Sequence, residues 1–88
     1  MVYVTQVHMV GGTRHEHIDS VRWRNPQTSE TGSSTRADMV SWIDGGGDAR
    51  VTDGTRTVHV GVVNAKPRYI RTRADGVWTD NLLALPRY

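Results

Sequence analysis

The sequence predicts an α+β fold: a small, mainly antiparallel β-sheet, made of an N-terminal hairpin and a C-terminal meander, with one short helix packed on it. Two Asp-Gly pairs stand between runs of β-branched residues, which is typical of hairpins. Only one segment combines a capping residue, closely spaced apolar residues and a glycine stop. The 88 residues provide for one core. We therefore expect a single domain over residues 1–88, with four or five strands.

The N-terminal hairpin is predicted from residues 2–10 and 14–25. The first segment is rich in β-branched residues and has no breaker, and Gly11-Gly12 provides a turn. The apolar residues of the returning segment change parity, so we expect a bulge near Asp19-Ser20. Residues 26–33 are polar, contain Pro and Gly, and are predicted to form a loop.

The helix is predicted over residues 36–44. Thr35 with Asp38 three residues later resembles a capping box, and Ser34 is an alternative cap. Glycines follow the segment, and we expect Gly45 to adopt the left-handed conformation that ends many helices. A helix this short must be stabilised by packing against the sheet.

The C-terminal meander is predicted from two turns, Asp53-Gly54 and Asp75-Gly76. Segment 80–86 follows, with three leucines that must either pack down or be exposed. The predicted strands are residues 49–52, 55–63 and 68–74.

Composition excludes several classes of function. The chain has no cysteine, so disulfides, thiolate metal sites and cysteine nucleophiles are absent. It has no apolar run long enough for a membrane span and no signal-peptide pattern at its start, so we expect a cytoplasmic protein without a membrane partner. With 36% hydrophobic residues the core is small, and we expect no buried cofactor. The net charge of +2 is modest and does not by itself indicate a partner.

Three histidines on the predicted hairpin form the first candidate site. A two-residue turn would place His8 opposite His15, and a four-residue turn would place it opposite His17. Either register keeps the three rings on one face, where they could hold zinc or nickel with one position open. The alternative is a polar, solvated face that tolerates histidine.

Arginines interleaved with aromatic residues form the second candidate site. Sheet proteins that bind single-stranded nucleic acid stack bases on aromatic rings and hold phosphates with basic side chains. Nucleic acid is therefore the best single hypothesis for a macromolecular partner, although the arginines could instead be solvated surface. The candidate residues are Arg22, Arg24, Arg68, Tyr69, Arg71 and Arg73.

Two further groups have local explanations. Asp75, Asp80 and Asn81 could support acid–base chemistry, but each fits a turn, and no nucleophile or phosphate-loop motif accompanies them. We therefore expect a protein that is not an enzyme. Together with Trp78, the tail leucines could form an exposed patch for homo-oligomerisation or partner docking, but we favour their covering the core, because so small a domain needs that area. They are Leu82, Leu83 and Leu85.

The C-terminal third also resembles a known family. Segments 69–72, 74–76 and 80–86 read YIRT, ADG and DNLLALP. This ending is similar to that of small bacterial and phage proteins catalogued as a domain of unknown function. The resemblance implies no activity, and the sequence as a whole indicates a small binding or regulatory module. The residues that define the ending are Asp75, Gly76, Asp80, Asn81, Leu82, Leu83, Leu85 and Pro86.

Overall fold

A computed structural model describes all 88 residues and shows one sheet of seven strands with one α-helix. The α+β class is confirmed, but the sheet has more strands than the four or five expected. In space the strands follow the order β3-β2-β1-β4-β5-β6-β7. The elements are β1 Val2–Met9, a 3-10 turn His15–His17, β2 Ile18–Arg24, β3 Thr31–Thr35, α1 Arg36–Asp44, β4 Ala49–Thr52, β5 Thr57–Val63, β6 Tyr69–Ala74 and β7 Val77–Thr79.

Strand β1 makes the sheet mixed rather than wholly antiparallel. It pairs antiparallel with β2 on one side and parallel with β4 on the other, where Val2 lies opposite Ala49 and Tyr3 opposite Arg50. The other neighbouring strands all pair antiparallel. The N-terminal hairpin and the C-terminal meander are thus joined into one sheet through a short parallel contact.

The first hairpin differs from its expected form. The returning strand begins at Ile18 rather than at residue 14, because the preceding residues form the 3-10 turn. The expected bulge is present: His8 pairs with Ser20 and Met9 with Ile18, which leaves Asp19 as the extra residue of β2.

Strand β3 begins at Thr31 and so corrects the last three residues of the loop predicted over residues 26–33. It pairs along β2, although it contains only Thr, Gly and Ser. Gly32 lies beneath the ring of Trp23, and a Cβ atom at this position would lie 2.5 Å from that ring. The Trp23 Nε1 atom also donates a hydrogen bond to Ser34 Oγ over 3.1 Å. Packing by the indole therefore stabilises a strand that has no apolar residue of its own.

Helix α1 has the predicted bounds. Its N-cap is Thr35, whose Oγ1 atom accepts a hydrogen bond from the Asp38 backbone N–H over 3.2 Å. The end of the helix differs from the prediction: Gly45 has a φ of −83°, and the left-handed residue is Gly46 with a φ of 103°. Met39 on α1 is among the buried residues.

The meander has four strands, because Val77–Thr79 forms β7 beside β6. Both predicted turns join strands, but the one at Asp53-Gly54 has four residues rather than two, because Thr52 pairs with Thr57 and β5 begins there rather than at residue 55. Asp75 has a φ of 51° and Gly76 a φ of 78°, the positive values that a type I′ turn requires at both central residues. Gly54 in the earlier turn also has a positive φ, 92°.

The tail returns from β7 to β1 and covers the core. Leu82 is fully buried, and Leu83 and Leu85 pack against the core cluster while partly exposed. The Val7 N–H donates to the Pro86 carbonyl over 3.0 Å, so the tail also bonds to the edge of β1. No helix of this chain is long and apolar enough to span a membrane. The core consists of Val2, Val4, Val7, Ile18, Val21, Met39, Val40, Ala49, Val51, Val58, Val60, Ile70 and Leu82.

Candidate nucleic-acid interface

One face of the sheet holds the core, and the other, which we call the open face, carries polar and aromatic side chains. Directly opposed residues of neighbouring strands place their side chains on the same face. Register partners on six consecutive strands, β2, β1, β4, β5, β6 and β7, therefore form one continuous row across the open face. This cross-strand row is Arg24, Tyr3, Arg50, His59, Arg73 and Trp78.

Cations and rings are in contact at both ends of the row. The guanidinium carbon of Arg24 lies 5.7 Å from the centre of the Tyr3 ring, and that of Arg73 lies 5.3 Å from the Trp78 ring. A Cβ atom on Gly61 would lie 3.3 Å from the Trp78 indole, so the missing side chain gives this ring room beside β5. Arg24 and Arg73 form no ion pair with any carboxylate. Their charges are available to a ligand.

Asp48 contacts the two residues at the centre of the row, Arg50 and His59. Its carboxylate accepts two hydrogen bonds from Arg50, over 3.0 and 2.8 Å, and lies 3.6 Å from His59 Nδ1. The hydrogen bonds from Arg50 lower the pKa of the Asp48 carboxyl and outweigh burial, which acts in the opposite direction, and the Arg50 and His59 charges lower it further. Asp48 is therefore ionised at neutral pH and offsets the charge of Arg50.

A second patch on the open face surrounds Tyr88. The Arg22 guanidinium lies 4.3 Å from the centre of the Tyr88 ring, and the Tyr88 hydroxyl donates to Ser20 Oγ over 2.8 Å. His8 Nδ1 lies 2.5 Å from the Tyr88 carbonyl oxygen. Arg22 also donates to Gln6 over 3.4 Å and pairs with no carboxylate. The Tyr88 backbone N–H also donates to the Val7 carbonyl over 3.2 Å, so this ring belongs to the last residue that bonds the tail to β1.

The remaining candidate nucleic-acid residues are less available. Arg68 precedes β6 and pairs with Asp44 of α1 over 2.6 Å. Arg71 donates to the Asp80 carboxylate over 2.9 Å and to a backbone carbonyl of β7. Tyr69 is half-buried at the start of β6. Arg22, Arg24 and Arg73 are thus the predicted cations that remain exposed on the open face.

A family model matches residues 3–86, a span from β1 through the tail. The family is described as a protein of unknown function, DUF3892. The chain belongs to the DUF3892 family. No curated protein and no solved structure matches the DUF3892 chain.

The three candidate histidines of the DUF3892 chain are not brought together. His8 pairs with Ser20, not with His15 or His17, because the 3-10 turn interrupts the hairpin. His15 is buried, whereas the His17 ring accepts a hydrogen bond from the Arg14 backbone N–H. No group of three histidine or carboxylate side chains in the chain is placed to hold a metal ion.

His15 occupies a distinct buried position in the DUF3892 fold. Its Nε2 atom is buried without a hydrogen-bond partner and lies 3.7 Å from the Asp80 carboxylate. Burial lowers the pKa of His15, and the nearby Arg71 lowers it further, while Asp80 and Glu16 act in the opposite direction. The folded protein therefore favours the neutral imidazole.

Polar side chains of β6, β7 and residues 80–81 anchor the tail of the DUF3892 chain. Thr72 is fully buried, and its Oγ1 atom accepts the Asn81 backbone N–H over 3.1 Å. The Asn81 side-chain oxygen in turn accepts from Thr79 Oγ1 over 2.6 Å. Asp80 pairs with Arg71, and Asp75 forms the β6–β7 turn. These residues have structural partners and do not converge on one reactive position.

Proposed function

We propose that the open face binds single-stranded nucleic acid. The observation that carries this proposal is the cross-strand row, in which guanidinium groups alternate with aromatic rings over six consecutive strands. Aromatic rings stack on bases of any sequence, and arginines pair with the phosphates between them.

The geometry of the row favours a single strand over a duplex. Neighbouring strands lie about 4.8 Å apart, so six strands span roughly 24 Å, a length that accommodates several nucleotides. Stacking on Tyr3 or Trp78 requires an unpaired base, which a duplex does not offer along its length. The row therefore fits a strand that crosses the sheet from β2 to β7.

The charge distribution sets the expected salt dependence. Asp48 offsets Arg50 at the centre, which leaves Arg22, Arg24 and Arg73 as phosphate contacts on the open face. Three contacts on a single strand give a slope of about −2 in a plot of log affinity against log salt. The net charge of the chain is only +2, so the local arrangement rather than a general positive field must provide the attraction.

Fluorescence anisotropy of labelled single-stranded DNA and RNA at several salt concentrations tests the phosphate contacts. We expect Arg73→Ala to weaken binding and to make the slope shallower by about 0.7, the contribution of one phosphate. Arg14→Ala is the matched control, because it removes the same charge from an 82% exposed side chain outside the row. Equal effects of the two substitutions, or no binding by the unmodified protein at low salt, would contradict the proposal.

Trp78→Ala tests the stacking contact separately. We expect it to weaken single-strand binding by about 1–3 kcal/mol without changing the salt slope, because a ring contributes no phosphate contact. A duplex of the same sequence should bind more weakly than the single strand. Equal affinity for the two forms would show that unpaired bases are not what the row contacts.

A further inference from the structure

A cleft on the opposite side of the molecule is independent of the open face. It lies between α1 and the strands β1, β2 and β3, and encloses about 210 Å³. Two indole rings and one carboxylate dominate its lining. The cleft, which we call the indole cleft, is lined by Val2, Trp23, Ser34, Asp38, Met39 and Trp42.

Each of the two indole rings packs against a glycine. The Trp23 ring rests on Gly32, and the Trp42 ring rests on Gly47 so closely that a Cβ atom there would overlap it. The Trp23 N–H is also fixed by its bond to Ser34 Oγ. Trp42 nevertheless keeps 42% of its surface exposed. The rings are thus positioned in advance and still open to a ligand.

The only charge in the indole cleft is negative. The Asp38 carboxylate forms no ion pair, and no side-chain hydrogen bond to it is present. The neighbouring cation, Arg36, extends away to the Glu16 backbone carbonyl over 2.6 Å. An electron-rich ring pair beside an unpaired carboxylate attracts a cation, because ring faces and carboxylates both stabilise positive charge.

We propose that the indole cleft binds a small molecule with a quaternary ammonium group, of the choline type. Such a group needs apolar and π contacts for its methyl groups and has no N–H donors to satisfy. This suits the indole cleft, because the Ser34 hydroxyl already accepts a hydrogen bond from Trp23. The volume is below the roughly 300–1,000 Å³ of pockets for drug-sized ligands, so it fits a headgroup rather than a nucleotide cofactor. The methyl groups would contact Trp23 and Trp42, with the charge beside Asp38.

Titration with choline, followed through the ¹⁵N–¹H signals of the three tryptophan side chains, tests this assignment. We expect saturable shifts for Trp23 and Trp42, whereas Trp78, on the open face, serves as an internal reference and stays in place. The uncharged isostere 3,3-dimethyl-1-butanol has the same shape without the charge. We expect it to bind about tenfold more weakly or worse, since a cation–π contact and the carboxylate no longer contribute.

Two variants and one control variant separate the contribution of charge from that of shape. Asp38→Asn keeps the side-chain size and should weaken choline binding about tenfold, while Asp19→Asn makes the same charge change at an exposed site on β2 and should leave binding unchanged. Trp42→Ala should abolish the saturable shift of Trp23. The proposal is overturned if no saturable shift occurs, if the neutral isostere binds as well as choline, or if Asp38→Asn equals Asp19→Asn. These readouts do not depend on nucleic-acid binding, which involves the other face.

Discussion

His15 combines burial with a titratable ring. Its pKa is lowered from the ordinary value of 6.5, first by burial and second by Arg71. Well above pH 6.5 the imidazole is neutral in the folded and unfolded states alike. As the pH falls through that value, the unfolded chain takes up a proton that the folded chain resists. The unfolded state then binds more protons, and the free energy of unfolding decreases.

We therefore expect the protein to become less stable between about pH 7.5 and pH 5.5, and the variant His15→Gln to lose less stability over the same interval. Urea denaturation at the two pH values measures both quantities. At the higher pH, the difference in free energy of unfolding between the unmodified protein and His15→Gln reports lost packing. The difference between the two proteins in how that free energy changes with pH reports the titration of His15. An unchanged pH dependence in His15→Gln would contradict this account.

At the same scale, the sequence predicted some open-face residues and missed others. Arg22, Arg24 and Arg73 were among the candidate nucleic-acid residues predicted from the sequence. Tyr3 was not predicted, because its place in the row depends on register with β4, which is distant in sequence. Trp78 was grouped with the tail leucines, whereas it lies opposite Arg73 across the Asp75-Gly76 turn. Each strand shows a pattern by itself, but away from short turns no local pattern shows which residue of a neighbouring strand lies opposite.

The junction between β3 and α1 is made by one residue. Thr35 ends the strand and caps the helix through its bond to the Asp38 N–H. We expect Thr35→Ala to lower the free energy of unfolding by about 1 kcal/mol, measured by urea denaturation, because one helix N–H loses its partner. Thr31→Ala, at the other end of β3, is the control and should change stability by less. Equal losses would mean that strand propensity, not the cap, explains the effect.

Among the elements, those with local signals were predictable. The helix had its cap and glycine stop, and the meander had two Asp-Gly turns. Strand β3 was not predictable, since Thr31–Thr35 contains no apolar residue and takes its packing from the ring of Trp23 over Gly32. The register that would place His8 opposite His15 or His17 is not observed for a related reason: a 3-10 turn replaces the simple hairpin turn on which that register depended.

At the scale of the whole molecule, the tail is part of the core. Leu82 is fully buried, whereas Leu85 is partly exposed. We expect Leu82→Ala to lower the free energy of unfolding by about 2–5 kcal/mol, because it removes buried atoms and leaves a cavity. Leu85→Ala should have a smaller effect. Chemical denaturation measures both.

The same variants test whether the tail leucines mediate association. If Leu82 contributes only to the core, its replacement should leave the mass in solution unchanged at concentrations where the variant stays folded, as measured by light scattering. A loss of mass without a loss of stability would instead assign the tail to an interface between copies.

The order of strands in the sheet could not be read from the sequence. Strand β1 pairs with β4, which lies more than forty residues further along the chain, through two residue pairs only. So brief a parallel contact leaves no periodic signal, and sequential strands pair more often. One sheet made of the N-terminal hairpin and the meander was predicted, but the parallel pairing of β1 with β4 that joins them was not.

The bridge between Val7 and Arg87 has a consequence for biosynthesis. Nearly all of the intervening chain must leave the ribosome before this contact can form, and contacts of such long sequence separation slow folding. Until then one edge of β1 has unpaired N–H and C=O groups that could pair with another nascent chain. Slowly translated or truncated copies should therefore be the ones that aggregate.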